Sequence, residues 1–293
     1  MYDAKVLADS ISPSGVRLVT VVVTVPRIIL AENNTHRDFS RNTASSRAIP
    51  INVRCDAIEA NPFVPTAFGK NKRGMQSDEL LGEAENAEAQ QIWREAVADA
   101  LKHARRLEKL KTHKQYGNRV TESYAWVTQL ISATEWDNYM NLRAHKDAQP
   151  EIQIGARLIR AAMLASKPKL LQVGEWHLPL ISPEESFSVG DSVKTSVGRC
   201  AAVSYEKQAV QKTLPEEIER HGNLLASGHM SPFEHQAKVA NEEEILEHGM
   251  FSWNRETQAF EPKRIGNFRS PWLQYRKTIP GEAVFNVGVE AEA

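Results

Sequence analysis

Thiols are almost missing: of 293 residues, Cys55 and Cys200 are the two cysteines. Two thiols cannot build a disulfide framework or a four-ligand metal knuckle, and they give no reason to place the protein outside a reducing compartment. Cys55 follows Ile51-Asn52-Val53-Arg54 and Cys200 sits among small apolar residues. Both read as packed, inert thiols rather than nucleophiles. Long apolar runs are missing too. The longest, Leu18 to Leu30, is broken by Pro26 and Arg27, and no membrane span is expected from it. The opening Met1-Tyr2-Asp3-Ala4-Lys5 lacks the basic-then-apolar order of a signal peptide, which predicts a cytoplasmic location, the host's cytoplasm if the source is viral. Charge of one sign is also lacking. A net charge of −1 gives no field for a polyanion. Nucleic acid is therefore not an expected partner, whereas a small anion held by a few arginines is. No Gly-x-Gly-x-x-Gly or phosphate-loop pattern occurs, so a Rossmann-type cofactor site is unsupported. Internal repeats and low-complexity tracts are absent as well.

What is present is ordinary globular material, 41% hydrophobic and 25% charged. One domain over residues 1–285 is expected, with a frayed tail at 286–293. Arg17 to Val25 is short and dense in β-branched residues, which predicts a strand covered on both faces. Pro26 should end it, bulge it or place it at an edge. Ile28 to Glu32 reads as a helix start or a second short strand. The segment 61–74, with Pro62, Pro65, Gly69 and Gly74, reads as a loop. Ser77 is placed to cap a long helix running to about Lys111, with Ile92, Val97, Ala100, Leu101, Ala104 and Leu107 at helical spacing. A second helix is expected over Glu122 to Arg143, with Trp126, Leu130, Ile131, Trp136 and Leu142 on or near one apolar face. Pro150 opens a third helix, which Lys167-Pro168 stops near Ser166. Gly174 to Phe187 reads as a loop. Ser196 to Glu206 begins another unit, and Leu214-Pro215 starts a helix ending near Gly222 or Gly228.

Three clusters could carry chemistry. The first is Thr35-His36-Arg37-Asp38-Phe39-Ser40-Arg41-Asn42-Thr43-Ala44-Ser45-Ser46-Arg47. Its guanidinium groups, hydroxyls and backbone N–H groups suit phosphate, though a solvated loop with weak surface ion pairs has the same composition. The second is the stretch from Glu135 to Ile152, in which Arg143 closes an expected helix. Such a cation can simply complement the helix dipole. The third is Cys200-Ala201-Ala202-Val203-Ser204-Tyr205 followed by His229-Met230-Ser231-Pro232-Phe233-Glu234-His235. Two histidines flanking a glutamate suggest metal, but Ser-Pro spoils helical His-x-x-x-His spacing and no cysteine joins them. No metal is expected.

Together these clusters resemble the flavin-dependent thymidylate synthase family. His36 and Arg37 match the last two residues of its Arg-His-Arg trio, and Ser45 and Arg47 its distal Ser-x-Arg. Ser40 and Asn42 match between them. Pro26 falls where the family has a proline before the motif. Thr35 stands where the family has its first Arg, and Thr43 where it often has Glu. Leu142-Arg143, Ala148-Gln149 and Glu151-Ile152 match a helix–turn–helix, and His229 to His235 matches His-x-Ser/Thr-Pro-x-Glu-His. In usual members the third cluster comes first, so the chain resembles a circularly permuted, phage-like member opening at the strand before Pro26. Permutation is compatible with termini that lie close together on a surface.

The resemblance implies an α/β (α+β) fold, a mixed sheet flanked by helices, assembled as a homotetramer with intersubunit active sites. It implies FAD-dependent methylation of dUMP to dTMP, with methylenetetrahydrofolate as one-carbon donor and NADPH as reductant. It places Arg143 on the uracil as the catalytic residue. Glu32, Ser45, Ser46, Arg47 and Arg119 would hold the nucleotide. His36, Arg37, Asn138, His229, Ser231 and His235 would face the flavin or folate. Gln274 and Arg276 resemble an Arg-Gln-x-x-Arg strand and are candidates to replace the Arg missing at Thr35. A polar edge strand is the plainer reading. Hydroxymethylation of a deoxypyrimidine monophosphate, or a homologue that binds nucleotide without chemistry, are the alternatives.

Overall fold

Valine density makes the central strand. In the computed structural model, which describes residues 1–74, 77, 79–203 and 212–282, β1 (Asp3–Ile11) and β2 (Arg17–Pro26) form an antiparallel hairpin. The expected tail at 286–293, and Ser204, Tyr205 and Glu206, lie outside the described residues. After β2 a turn, Arg27–Ile29, leads into α1 (Leu30–Asn33), which resolves the choice left open there in favour of helix. Then come β3 (Ser40–Thr43), α2 (Ile51–Ala60), α3 (Glu83–Lys109), α4 (Lys114–Gly117) and, past a 3-10 turn at Asn118–Tyr124, β4 (Trp126–Ala133). Next are α5 (Asp137–Arg143), α6 (Pro150–Ala165), β5 (Lys169–Leu170), β6 (Trp176–His177), α7 (Val189–Ala202) and α8 (Leu214–Ala226). The rest holds β7 (Ala237–Val239), α9 (Glu242–Glu247), β8 (Phe251–Asn254), β9 (Ala259–Pro262) and β10 (Trp272–Gln274).

The main sheet runs β3-β4-β2-β1-β5. Its pairs are antiparallel except β1 with β5, so the sheet is mixed and flanked by helices, as the fold class expected. Side chains alternate across β2. Val19, Val21, Val23 and Val25 face Ile152, Ala156 and Ile159 of α6 and Tyr139 of α5. Leu18 packs the other way, with Ala237, Val239 and Trp272 of the small sheet β10-β7-β6. Covering both faces explains the near-continuous apolar run, and Pro26 does end the strand. Gly155 lets α6 lie close on the sheet, since a methyl there would stand 2.7 Å from Val25 Cγ1. No helix among the described residues is long and apolar enough to cross a membrane.

Several expectations are corrected. Glu122 to Arg143 is not one helix: it ends a 3-10 turn, crosses as β4 and finishes in α5. Trp126 to Ala133 is buried nearly throughout although Thr128, Gln129 and Ser132 are polar, and over so short a run helical spacing arises by chance. Tertiary pairing decides, because β4 lies between β2 and β3, with Ile131 opposite both Val21 and Arg41. Leu142 is 56% exposed rather than part of an apolar face. Ser77 caps nothing. Its hydroxyl donates to the carbonyls of Lys70 and Glu79 at 2.9 and 3.0 Å, and α3 starts behind Gly82, whose N–H reaches Glu85 at 3.1 Å. Ile92 is 59% exposed, while Val97, Leu101 and Ala104 pack on Ile51, Cys55 and Ile58 of α2. Ser196 does not begin a unit but sits inside α7. The chain opens with β1, a strand ahead of the one before Pro26.

Candidate functional site

The Thr35–Arg47 segment wraps around β3. Its first half leaves α1, β3 pairs with β4, and its second half passes to α2. Arg41 Nη1 donates to the Asn33 carbonyl at 3.2 Å and to the His36 carbonyl at 2.7 Å, which fixes the approach to the strand. His36 lies edge-on to Tyr139, with ring centroids 4.9 Å apart.

Arg143 closes α5 and reaches this loop. Its Nε donates to His36 Nε2 at 3.0 Å and its Nη2 to Thr35 Oγ1 at 3.2 Å. Thr35 Oγ1 donates onward to the Glu32 carbonyl at 2.7 Å. His36 Nε2 is thus an acceptor and the ring is neutral. Burial, then Arg143 and Arg41, push its pKa down against the opposing pull of Asp38. Thr35, His36, Arg37, Asn138 and Arg143 line a hollow of ≈ 240 Å³. Arg37 and Asn138 are exposed at its rim. Glu32 Oε2 is buried without a partner.

The third cluster meets the first at β3. Asn42 Nδ2 donates to the Cys200 carbonyl at 2.7 Å, and Ser231 Oγ donates to Asn42 Oδ1 at 3.5 Å. Gln274, 1% exposed, donates to Ser40 Oγ at 2.9 Å and to the Glu234 carbonyl at 2.7 Å. The last strand is the edge of the small sheet, as the plainer reading expected, but it is buried along its length rather than solvent-facing. Arg276 is engaged by acidic partners. It pairs with Glu234, and with Glu282 at 2.7 Å. His229 is exposed, bonds Ser227 at 3.0 Å and lines a separate hollow beside Arg220. His235 is fully buried: its Nδ1 lies 2.8 Å from Ser132 Oγ and its Nε2 has no partner.

The Ser45–Arg47 end lies across β3 from Arg143. Four strand residues span about 10–13 Å, which keeps the two ends of the motif apart on one chain. Ser46 is buried and donates to Glu122. Arg119 reaches Glu122 at 3.0 Å and Arg27 reaches it at 3.2 Å. Burial would raise the Glu122 pKa, but Ser46, Arg27 and Arg119 outweigh it and the net shift is downward. Ser45 and Arg47 are exposed. Glu122, Arg27 and Tyr139 were not singled out from sequence as site residues, and Arg41 entered only as a member of the first cluster. The available signal was the polar Arg119-x-x-Glu122 spacing. No three His, Cys, Asp or Glu side chains among the described residues are grouped to hold a metal.

No family model matches the chain, and no curated protein matches it. Among solved structures, a UMP/dUMP methylase PolB from Streptomyces cacaoi bound with 5-Br dUMP overlaps 50% of this chain and 66% of its own, at 18% identity and a TM-score of 0.42. The same methylase bound with 5-Br UMP overlaps 56% of this chain and 88% of its own, at 14% identity and a TM-score of 0.46. The first overlap spans just under two thirds of that protein's length. Partial overlaps of this kind fix neither activity nor substrate.

Proposed function

We propose that this chain is a flavin-dependent thymidylate synthase-like enzyme that methylates dUMP, with FAD, methylenetetrahydrofolate and NADPH. The observation that carries the reading is the convergence on β3. Residues from three separated motifs, His36, Arg143 and Ser231, come to one strand and its flanks.

The residues suit part of a flavin. Arg37, Arg143 and Asn138 offer donors, and Glu32 Oε2 offers an unpartnered acceptor. The hollow of ≈ 240 Å³ is below the about 300–1,000 Å³ of complete small-molecule sites, which favours a site shared with a second copy. Bound FAD would supply the electron transfer that side chains cannot. The protein's share is positioning and charge. Arg143, held by His36 and Thr35, presents a fixed cation to the pyrimidine and favours the ring anion. Neutral His36 holds that guanidinium without adding charge. Ser45, Arg47 and Arg119 offer hydroxyl and guanidinium donors to a phosphate.

A second reading rests on Thr35. A hydroxyl in place of a guanidinium beside Arg143 changes what meets the incoming one-carbon unit, which favours hydroxymethylation as the alternative product. The test is incubation of pure protein with FAD, dUMP, methylenetetrahydrofolate and NADPH, followed by mass spectrometry. A net gain of CH2, a ring hydrogen exchanged for a methyl group, is expected. A hydroxymethylated nucleotide would replace the first reading by the second. A protein that takes up no flavin and forms neither product would end both.

A further inference from the structure

Behind the Ser46–Glu122 contact lies a larger cavity, ≈ 920 Å³, between α2, the Arg27 turn and the start of β4. Its walls are largely apolar, from Ile49, Val53, Ile58, Trp126 and Val127, with Arg27 and Arg54 as its side-chain cations and Met1 at its rim. Arg54 is 5% exposed, and its Nε and Nη2 have no hydrogen-bond partner. Those two atoms form the edge that guanidinium groups use for bidentate pairing. Arg17 shows the satisfied version in this molecule, gripping Asp9 through Nε and Nη2 at 2.8 and 2.6 Å.

An unpaired buried guanidinium edge is costly, so its retention calls for a function. Around Glu122 stand Arg27, Arg54 and Arg119 against one carboxylate, and Asp3 stands elsewhere on the cavity wall. Burial, then Arg27, push the Arg54 pKa down to about 10, so it remains a cation at neutral pH.

We infer that this cavity is a separate binding site for a small organic anion, its phosphate or carboxylate paired with Arg54 and its apolar body against Val53 and Trp126. The site stands apart from the Arg143 hollow and does not depend on the proposed reaction.

The experiment is thermal unfolding of the full chain titrated with inorganic phosphate, and in parallel with glutarate, at fixed ionic strength. Arg54→Met and Ala57→Trp are compared with the unmodified protein. Arg54→Met keeps the packed stem and removes the unpaired charge. Ala57→Trp fills the cavity from the exposed face of α2 and keeps the test valid if Arg54→Met does not fold. A saturable rise in melting temperature is expected for the unmodified protein, lost in either folded variant and kept in Arg143→Ala. Response to phosphate alone, or to glutarate alone, identifies the anion class. Equal shifts in the unmodified protein and the variants reflect general salt stabilisation and would overturn the site. No saturable shift with either anion would overturn it as well.

Discussion

Arg143 makes two directed bonds, to His36 and to Thr35, and the second meets the position at which the sequence departs from the motif it resembles. A lysine keeps the charge and loses the fixed fork that makes both bonds. Arg143→Lys should therefore behave almost as Arg143→Ala, with kcat/KM lowered by roughly 10²–10³, the usual loss when one oriented donor is removed. Steady-state kinetics on folded, flavin-loaded protein measures this, and near-normal turnover in the lysine variant would reduce Arg143 to a helix-end cation. Arg143, His36 and Ser231 were legible because their spacing within short motifs carries the information. Arg54 and Glu122 were not. Each acquires meaning from where α2 and the Asn118–Tyr124 turn land, which no local pattern encodes. Arg54 did leave one trace, a charge on the face of α2 that buries Ile51, Cys55 and Ile58.

At the level of elements, two buried histidines tie strands together. His177 on β6 bonds Ser10 of β1 at 2.9 Å and Thr20 of β2 at 2.8 Å. Ser132 of β4 joins His235, just before β7, to the same chain of hydroxyls. Burial pushes both imidazoles down to about 3. Both are neutral when folded, while the unfolded chain takes up protons near pH 6.5. Their stabilisation is present above pH 6.5 and declines as pH falls towards 3, by up to about 1.4 kcal/mol per pH unit for each histidine. Urea midpoints measured from pH 7 to pH 5 should fall, and His235→Phe should flatten the slope. A slope unchanged in that variant would show that the histidine does not titrate on unfolding. Strand pairing, rather than local spacing, decides the element that follows Tyr124. Trp126 to Ala133 fits a helix by spacing and becomes β4 because β2 and β3 pair with it on either side. The helices α3 and α6 were readable, since each buries one apolar stripe and leaves the opposite face to solvent.

For the whole molecule, the two ends of the Thr35–Arg47 motif face apart across β3, and the Arg143 hollow is too small for the ligands proposed for it. Both facts fit a site completed by another copy, with the Ser45–Arg47 end of one chain facing the Arg143 end of the next. The proposal separates cleanly from a self-contained site. Arg47→Ala and Arg143→Ala should each be inactive alone. Unfolded together in equal amounts and refolded, they should regain activity, because a site can draw an intact Arg47 from one parent and an intact Arg143 from the other. Random assembly makes about a quarter of the sites whole, so about a quarter of the unmodified activity is the expected recovery. A self-contained site would recover none, because every chain then carries one lesion in its own site. A mixture that assembles normally yet stays inactive would therefore place both arginines in a site on the same chain.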